Sequence, residues 1–490
     1  MASIKELMTQ IPRGKRTIWV GMLAVGYIIM VSFLIWIFGT HNFPGMLVWL
    51  LPVSYGLIMI AILVALSPLV IFFDLRRLVR SPQPKRVPSF FLWGIALILL
   101  IAPMGAYIGL GSDILLRSAG DKTPQLVMLD GTGANGIPDF ALLAWTSRKS
   151  TMTLTYGSNL SMANTVSDQV PTRTHALVMD DLLPATTYFY SWDNGQTIQN
   201  FTTFSGQNST LHFAFSSDAH FGRPASNNTA TLKILEQVAN PAHGFDAFFF
   251  GGDLVEMGGT DAHWAEAMVA IAPYLNSIPF RSAIGNHDAQ FGAERMYIDY
   301  FYPESAPVAT GTPLYYHIRI NDIHLFFLDL EWGIETYDAA QKAWFEAQIA
   351  TVAPSDWTFV FCHGVFYSSG TESAGVNWGD NSGMIDTLVP LFEAHDVDMV
   401  FTGHNHHIEV LEKNGIYYHV VGGFGGHPDS EKTYTSPHSL AYFHHQFGFV
   451  DVAITGDEAS VVVRTPEFVP LYNYTTPFFS LISKNPPFFL

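Results

Sequence analysis

The sequence is short of cysteine and of charge. Its 490 residues include one cysteine, Cys362, so no intramolecular disulfide can form and a disulfide-stapled scaffold is excluded. Only 13% of residues are charged, against about 25% in an average soluble domain. Disorder is excluded as well, because 49% of the residues are hydrophobic and a disordered chain has too little apolar surface to offset its entropy. Basic residues become scarce beyond position 88. Residues 1–88 hold nine basic and two acidic side chains, a net +7, and the other 402 hold 15 basic and 40 acidic, a net −25; together they make the −18 of the whole chain. So acidic a surface argues against nucleic acid as a partner, since phosphate backbones are bound by Lys and Arg.

What the N-terminal part has instead is three long apolar runs, at 17–38, 46–73 and 89–110. Each exceeds the ~20 residues with which a helix crosses ~30 Å of hydrocarbon. The first is too long for a signal peptide and no A-x-A site follows it. None of the three contains Asp, Glu, Lys, Arg or His, which favours a plain anchor over an ion or substrate pathway. Residues 1–112 are therefore expected to be three transmembrane helices in a lipid bilayer. Four basic residues precede the first run, five lie in the loop 74–88 and none in the loop 39–45. Positive loops stay in the cytoplasm. The expectation is a multi-pass protein of the cell membrane, with a cytoplasmic N-terminus and everything beyond about Gly111 extracytoplasmic.

Between 121 and 206, six short β-rich runs alternate with turn residues such as Gly131–Gly136 and Asn194-Gly195. That spacing suggests an all-β sandwich. The stretch Asp181-Leu182-Leu183-Pro184-Ala185-Thr186-Thr187-Tyr188 resembles the tyrosine-bearing corner of fibronectin type III domains. No cluster of catalytic residue types falls here, so a spacer or interaction module is the expectation.

From 210 to 465, apolar β-favouring runs alternate with helical patterns such as Ala230–Val238, Ala262–Tyr274, Ala339–Val352 and Met384–Ala394. This predicts an α/β arrangement with buried sheets, including one hairpin at Asn321-Asp322. The apolar C-terminal stretch, 466–490, reads as a tail too short to span a bilayer.

Ligands in α/β folds gather beyond the carboxyl ends of the strands. Five of the predicted strand ends carry metal-ligand residue types there: Asp218-Ala219-His220, Gly252-Asp253, Gly285-Asn286-His287-Asp288, His363-Gly364 and Gly403-His404-Asn405-His406. Carboxylate, amide oxygen and imidazole together suit Fe, Mn or Zn. Seven such residues fill two metal sites if one bridges, and Asp253 suits that part because a carboxylate can share its two oxygens. A two-metal site can activate water and hold a phosphoryl group for in-line displacement. Any one of these residues could be an ordinary turn or capping group; the series could not. His317, His324 and His419 sit inside strand-like runs and read as packing residues, and Cys362 as core.

This series resembles the signature of the calcineurin-like metallophosphoesterases. The preceding sandwich resembles the N-terminal domain of purple acid phosphatases, as do the stretch Phe361-Cys362-His363 with Tyr367-Ser368 and the glycine-rich Val421–Gly426. The implied fold is a membrane-helical anchor, a fibronectin III-like sandwich and an α/β metallophosphoesterase sandwich. The resemblance implies two divalent or trivalent metal ions, one on Asp218, His220, Asp253 and His406, the other on Asp253, Asn286, His363 and His404. It makes His287 the acid that protonates the leaving oxygen and Asp288 the group that orients its ring. Purple acid phosphatases carry a ferric-iron tyrosine three residues after the bridging Asp; Glu256 stands there in this sequence, with His220 expected to take over. The implied reaction is hydrolysis of a phosphomonoester by a hydroxide bridging the metals. A phosphodiesterase, a lipid phosphatase and a non-catalytic binding protein on the same scaffold are the alternatives.

Overall fold

The computed structural model describes residues 122–478, except 130–132, 134, 291, 303–310, 371, 374 and 375. The three apolar runs expected to cross the membrane lie outside the described residues. Among the described residues no helix is long and apolar enough to cross one.

Among the described residues, twenty-two strands and five helices follow in order. The first seven strands are β1 (Lys122–Met128), β2 (Phe140–Ser150), β3 (Thr153–Gly157), β4 (Asn164–Ser167), β5 (Thr172–Met179), β6 (Thr187–Ser191) and β7 (Gln199–Thr202). Then come β8 (Thr210–Ser216), α1 (Asn228–Val238), β9 (Ala247–Phe250), α2 (Asp261–Leu275), β10 (Phe280–Ser282) and α3 (Glu294–Phe301). The chain continues with β11 (Tyr316–Ile320), β12 (Ile323–Phe327), α4 (Ala339–Ile349), β13 (Trp357–Phe361), β14 (Glu372–Ser373), β15 (Val376–Asn377) and α5 (Ser382–Ala394). It closes with β16 (Met399–Thr402), β17 (Ile408–Lys413), β18 (Ile416–Val421), β19 (Ser439–Phe443), β20 (Phe449–Thr455), β21 (Glu458–Arg464) and β22 (Pro470–Pro477).

The part from Thr210 onward is two sheets packed face to face with helices outside. One sheet has the order β22-β21-β20-β8-β9-β10-β1-β2-β5, the other β11-β12-β13-β16-β18-β17-β19. Strands β8, β9 and β10 run parallel, as do β12, β13, β16 and β18. These strands are apolar on both faces because both are covered: β9 and β13 are buried throughout. Phenylalanines join the sheets, with Phe215 5.3 Å from Phe401 and Phe249 5.1 Å from Phe361. Helices α1 and α2 cover one outer face through Ile234, Trp264 and Met268, and α4 and α5 the other through Phe345, Leu388 and Phe392. Asn227, Asp338 and Asn381 cap α1, α4 and α5, each accepting a backbone N–H of the first turn. The Asn321-Asp322 turn joins β11 to β12 as expected.

The β-sandwich is present, but half of it is not a separate module. Strands β4-β3-β6-β7 form a sheet of their own, whereas β1, β2 and β5 extend the first of the two packed sheets through the parallel pairing of Val127 with Phe280. The expected corner forms: the Leu183 N–H donates to the Tyr188 hydroxyl at 3.0 Å. The stretch expected to be tail, 466–490, includes β22, which pairs antiparallel with β21 as an edge strand. Pairing satisfies its backbone and lets Phe478 bury against Trp357.

Candidate metal centre

The parallel strands carry their polar turns to one end, and there the chain bends sharply. Asp218 (φ 68°), His220 (φ 53°), Asp253 (φ 56°) and His404 (φ 68°) all adopt the left-handed region, which costs a non-glycine residue roughly 1–3 kcal/mol. Such strain persists where the surroundings over-determine it, and it gathers at functional sites. Two glycines give the room. A Cβ at Gly403 would lie 2.4 Å from Asp218 Oδ2, and one at Gly285 2.2 Å from Asp253 Oδ1.

All seven expected metal residues converge. His220 Nε2 lies 3.6 Å from Asp218 Oδ1 and 3.5 Å from Asp253 Oδ2. His406 Nε2 is 3.3 Å from Asp218 Oδ1, and His363 Nε2 3.3 Å from Asp253 Oδ2. Asn286 Oδ1 sits 3.1 Å from His363 Nε2 and 3.0 Å from His404 Nδ1. Asp253 Oδ2 thus faces both halves of the group. Each aspartate spends its other oxygen on the backbone: the His404 N–H donates to Asp218 Oδ2 at 2.9 Å, and the His287 N–H to Asp253 Oδ1 at 2.7 Å.

The donor set fits cations. His220 donates from Nδ1 to Glu256 Oε2 (2.9 Å), His363 from Nδ1 to the Gly251 carbonyl (2.8 Å) and His406 from Nδ1 to the His427 carbonyl (2.6 Å). Those partners only accept, so in neutral rings all three Nε2 atoms carry lone pairs. Yet His220 Nε2 and His406 Nε2 face each other at 3.0 Å, and Asp218 Oδ1 is buried with no hydrogen-bond partner. Lone pairs aimed at one another and at bare carboxylate oxygens are reconciled by positive charge between them. The carboxylates also draw positive charge into the site. Burial disfavours a charged His220, but Asp218, Glu256 and Asp253 outweigh it and hold the ring up to about 10. Against burial, Asp253 and Asp218 hold His363 up to about 9, and burial together with His363 presses His404 down to about 3. Burial would raise Asp218, but His363, His220 and His406 keep it well below the usual carboxylate range.

His287 borders the group, its ring 4.6 Å from that of His220 and its Nδ1 2.7 Å from the Glu256 carbonyl oxygen. Burial holds it below the usual imidazole range despite the pull of Asp253. Asp288 does not take the expected place behind that ring. Its oxygens accept the N–H groups of Asp253 (2.8 Å), Gly285 (3.2 Å) and Val255 (3.2 Å), because those turn amides have no strand partner. Asp288 therefore braces the loop that carries Asp253.

Two carboxylates escaped the sequence reading. Glu256, noted there only as the residue in place of a tyrosine, backs His220. Asp429 accepts the His406 N–H at 2.7 Å and lies 3.6 Å from His407 Nδ1. Its signal was weak: an Asp three residues past the glycine-rich return. His317, His324 and His419 are structural, as expected. His317 Nε2 and His324 Nδ1 are 2.9 Å apart, and His419 stacks on Phe401. Cys362 is fully buried.

Residues 211–407 match the family model of the calcineurin-like phosphoesterases. Purple acid phosphatase 1 of Ipomoea batatas is 26% identical over 269 residues, which are 50% of this chain and 54% of that protein. The match thus spans about half the length of this curated relative. Among solved structures, the purple acid phosphatase PPD1 from seeds of yellow lupin (Lupinus luteus) superposes with a TM-score of 0.60 at 16% identity, covering 73% of this chain and 74% of its own. PhoD superposes with 0.56 at 11% identity, over 74% and 91%. These two likenesses concern the fold, including the preceding sandwich.

Proposed function

We propose that this chain is a membrane-anchored, outward-facing phosphoesterase that uses two metal ions to hydrolyse phosphomonoesters. The observation that supports this reading is the gathering of seven ligand-type side chains from five strand ends, among them Asp218, whose buried Oδ1 has no hydrogen-bond partner. Asp218, His220, Asp253 and His406 would hold one ion, and Asp253, Asn286, His363 and His404 the other. When bound, the ions supply the charge that activates a water and steadies the oxygens of the phosphoryl group. Glu256 fixes the tautomer of His220, and the Gly251 and His427 carbonyls fix those of His363 and His406. Protonated His287, with Nδ1–H held by the Glu256 carbonyl, gives its Nε2 proton to the departing alkoxide. Asp288 keeps the Asp253 loop in place. Anchoring rests on the three uncharged apolar runs, and the outward orientation on the basic residues of the tail and of loop 74–88.

The test is hydrolysis of 4-nitrophenyl phosphate beside bis(4-nitrophenyl) phosphate by protein stripped of metal and reloaded with Mn, Zn or Fe, with Asn286→Ala in parallel. Metal-dependent turnover of the monoester that is lost in the variant is the expected result. Turnover of the diester alone would move the reaction to phosphodiester hydrolysis, and no turnover despite bound metal would sink the proposal for both esters.

A further inference from the structure

The two halves of the centre are backed differently. His363 stands against the interior, its side chain fully buried and bonded to the Gly251 carbonyl. His406 lies at the rim, its side chain 11% exposed where that of His220 is 0%. What holds it is a turn at the surface, 426–429, in which His427 is exposed.

This turn grips His406 at three points. Asp429 Oδ2 accepts the His406 N–H at 2.7 Å, the Asp429 N–H returns to the His406 carbonyl at 3.4 Å, and the His427 carbonyl accepts the ring Nδ1–H at 2.6 Å. Pro428 fixes its own φ and biases His427 to extended backbone, which restricts the direction of the carbonyl that meets the ring. Asp429 is tied down in turn. Its carbonyl accepts from His444 Nε2 at 2.8 Å, and its Oδ2 lies 3.6 Å from His407 Nδ1. His407 Nε2 is 3.3 Å from Oε2 of the fully buried Glu409, which also accepts the Ser369 N–H and hydroxyl, each at 2.6 Å, and the Ser439 hydroxyl at 2.5 Å. The doublet His406-His407 therefore sends one ring into the centre and the other into a buried acidic network, with Asp429 between them.

Gly426 brings the same turn against the neighbouring ligand-type residues. Its N–H donates to the Asp218 carbonyl at 2.7 Å. A Cβ there would lie 2.9 Å from His220 Cδ2 and 3.0 Å from His406 Cε1, wedged between two rings 4.7 Å apart. The turn thus touches Asp218, His220 and His406, which belong to one ion. Among the described residues no hydrogen bond joins it to Asn286, His363 or His404.

We infer that the turn 426–429 sets the occupancy of one ion of the pair, that on Asp218, His220, Asp253 and His406, and that Asp429 is its positioning residue. This rests on the two-metal reading above. An acceptor behind a ligand ring fixes its orientation and tautomer, and its loss typically weakens metal binding by about 10–100-fold. Because the grip is confined to one half, loosening it should empty that half and leave the other filled.

The experiment titrates manganese into the metal-stripped full-length chain, read by elemental analysis and electron paramagnetic resonance, beside Asp429→Ala, Gly426→Ala and Asp429→Asn. At the manganese concentration that fills both sites of the parent, Asp429→Ala and Gly426→Ala should hold one ion per chain with an uncoupled signal. Their second ion should enter at about 10–100-fold higher manganese. Asp429→Asn keeps an oxygen for the His406 N–H and should restore the coupled pair, which a turn that only stabilised the fold would not require. Histidine 15N resonance of the metal-free chain at alkaline pH, with His406 assigned by His406→Gln, should show the Nδ1–H tautomer in the parent and a mixture in Asp429→Ala. A coupled pair at the parent's manganese concentration in both Asp429→Ala and Gly426→Ala, or loss of both ions together from chains that circular dichroism reports as folded, would overturn the inference and leave the two-metal reading standing. A parent that binds no ion would overturn that reading as well.

Discussion

The β-sandwich and the strand ends of the α/β domain both bury histidine against aspartate, and they do so in opposite ways. In the sandwich, His175 Nδ1 meets Asp168 Oδ2 at 2.5 Å and His175 Nε2 meets Thr146 Oγ1 at 2.9 Å, while Asp168 Oδ2 also accepts the Met152 N–H. Both ring nitrogens have a complementary partner, so the ring is fully committed and pins strands together. At the strand ends, nitrogen faces nitrogen and a carboxylate oxygen has no donor. That group is complementary to something positive that the chain does not itself supply. Residue types alone do not separate the two; the direction in which each ring nitrogen is committed does. The closed network belongs to stability and the open one to chemistry.

Mutations should divide along the same line. The largest effect is expected at the shared carboxylate: Asp253→Ala should abolish phosphoester turnover, measured with an aryl phosphate, while circular dichroism still reports a folded chain. Next, His287→Ala should lower kcat by about 10²–10⁴-fold with metal content unchanged in elemental analysis. The loss should shrink on esters whose leaving group needs no proton. Removing the acceptor behind His220, in Glu256→Ala, should weaken metal binding by about 10–100-fold, read by competition with a chelator. In the closed network the effect should move from activity to stability. His175→Ala should cost about 1–3 kcal/mol in denaturant unfolding, with metal affinity as in the parent. The smallest change is expected at the corner, where Tyr188→Phe should cost about 1 kcal/mol. An activity loss in His175→Ala larger than its stability loss explains would break the division.

The sequence carried the centre further than the fold. Asp218, His220, Asp253, Asn286, His363, His404 and His406 could be found because each stands within a few residues of an apolar run that could only be a buried strand. Glu256 and Asp429 could not, because a carboxylate that backs a ring is chosen by the loop's path in space, and no periodicity marks it. Asp288 was misplaced for a related reason: adjacency to His287 suggested a ring partner, whereas the unpaired turn amides of Asp253, Val255 and Gly285 claimed its oxygens. In the fold, the alternating runs of 121–206 announced a sandwich. The single parallel pairing of Val127 with Phe280 that merges it with the next sheet joins residues far apart in the chain and leaves no local trace. Strand β22 was read as tail because its partner β21 was not in view.

The account stands on the claim that the open network holds two cations. Manganese loading of the purified full-length chain, followed by elemental analysis and electron paramagnetic resonance, tests it most directly. Two ions per chain with a spin-coupled signal is the predicted result. A folded chain that binds none, or one isolated ion, at saturating manganese would contradict it.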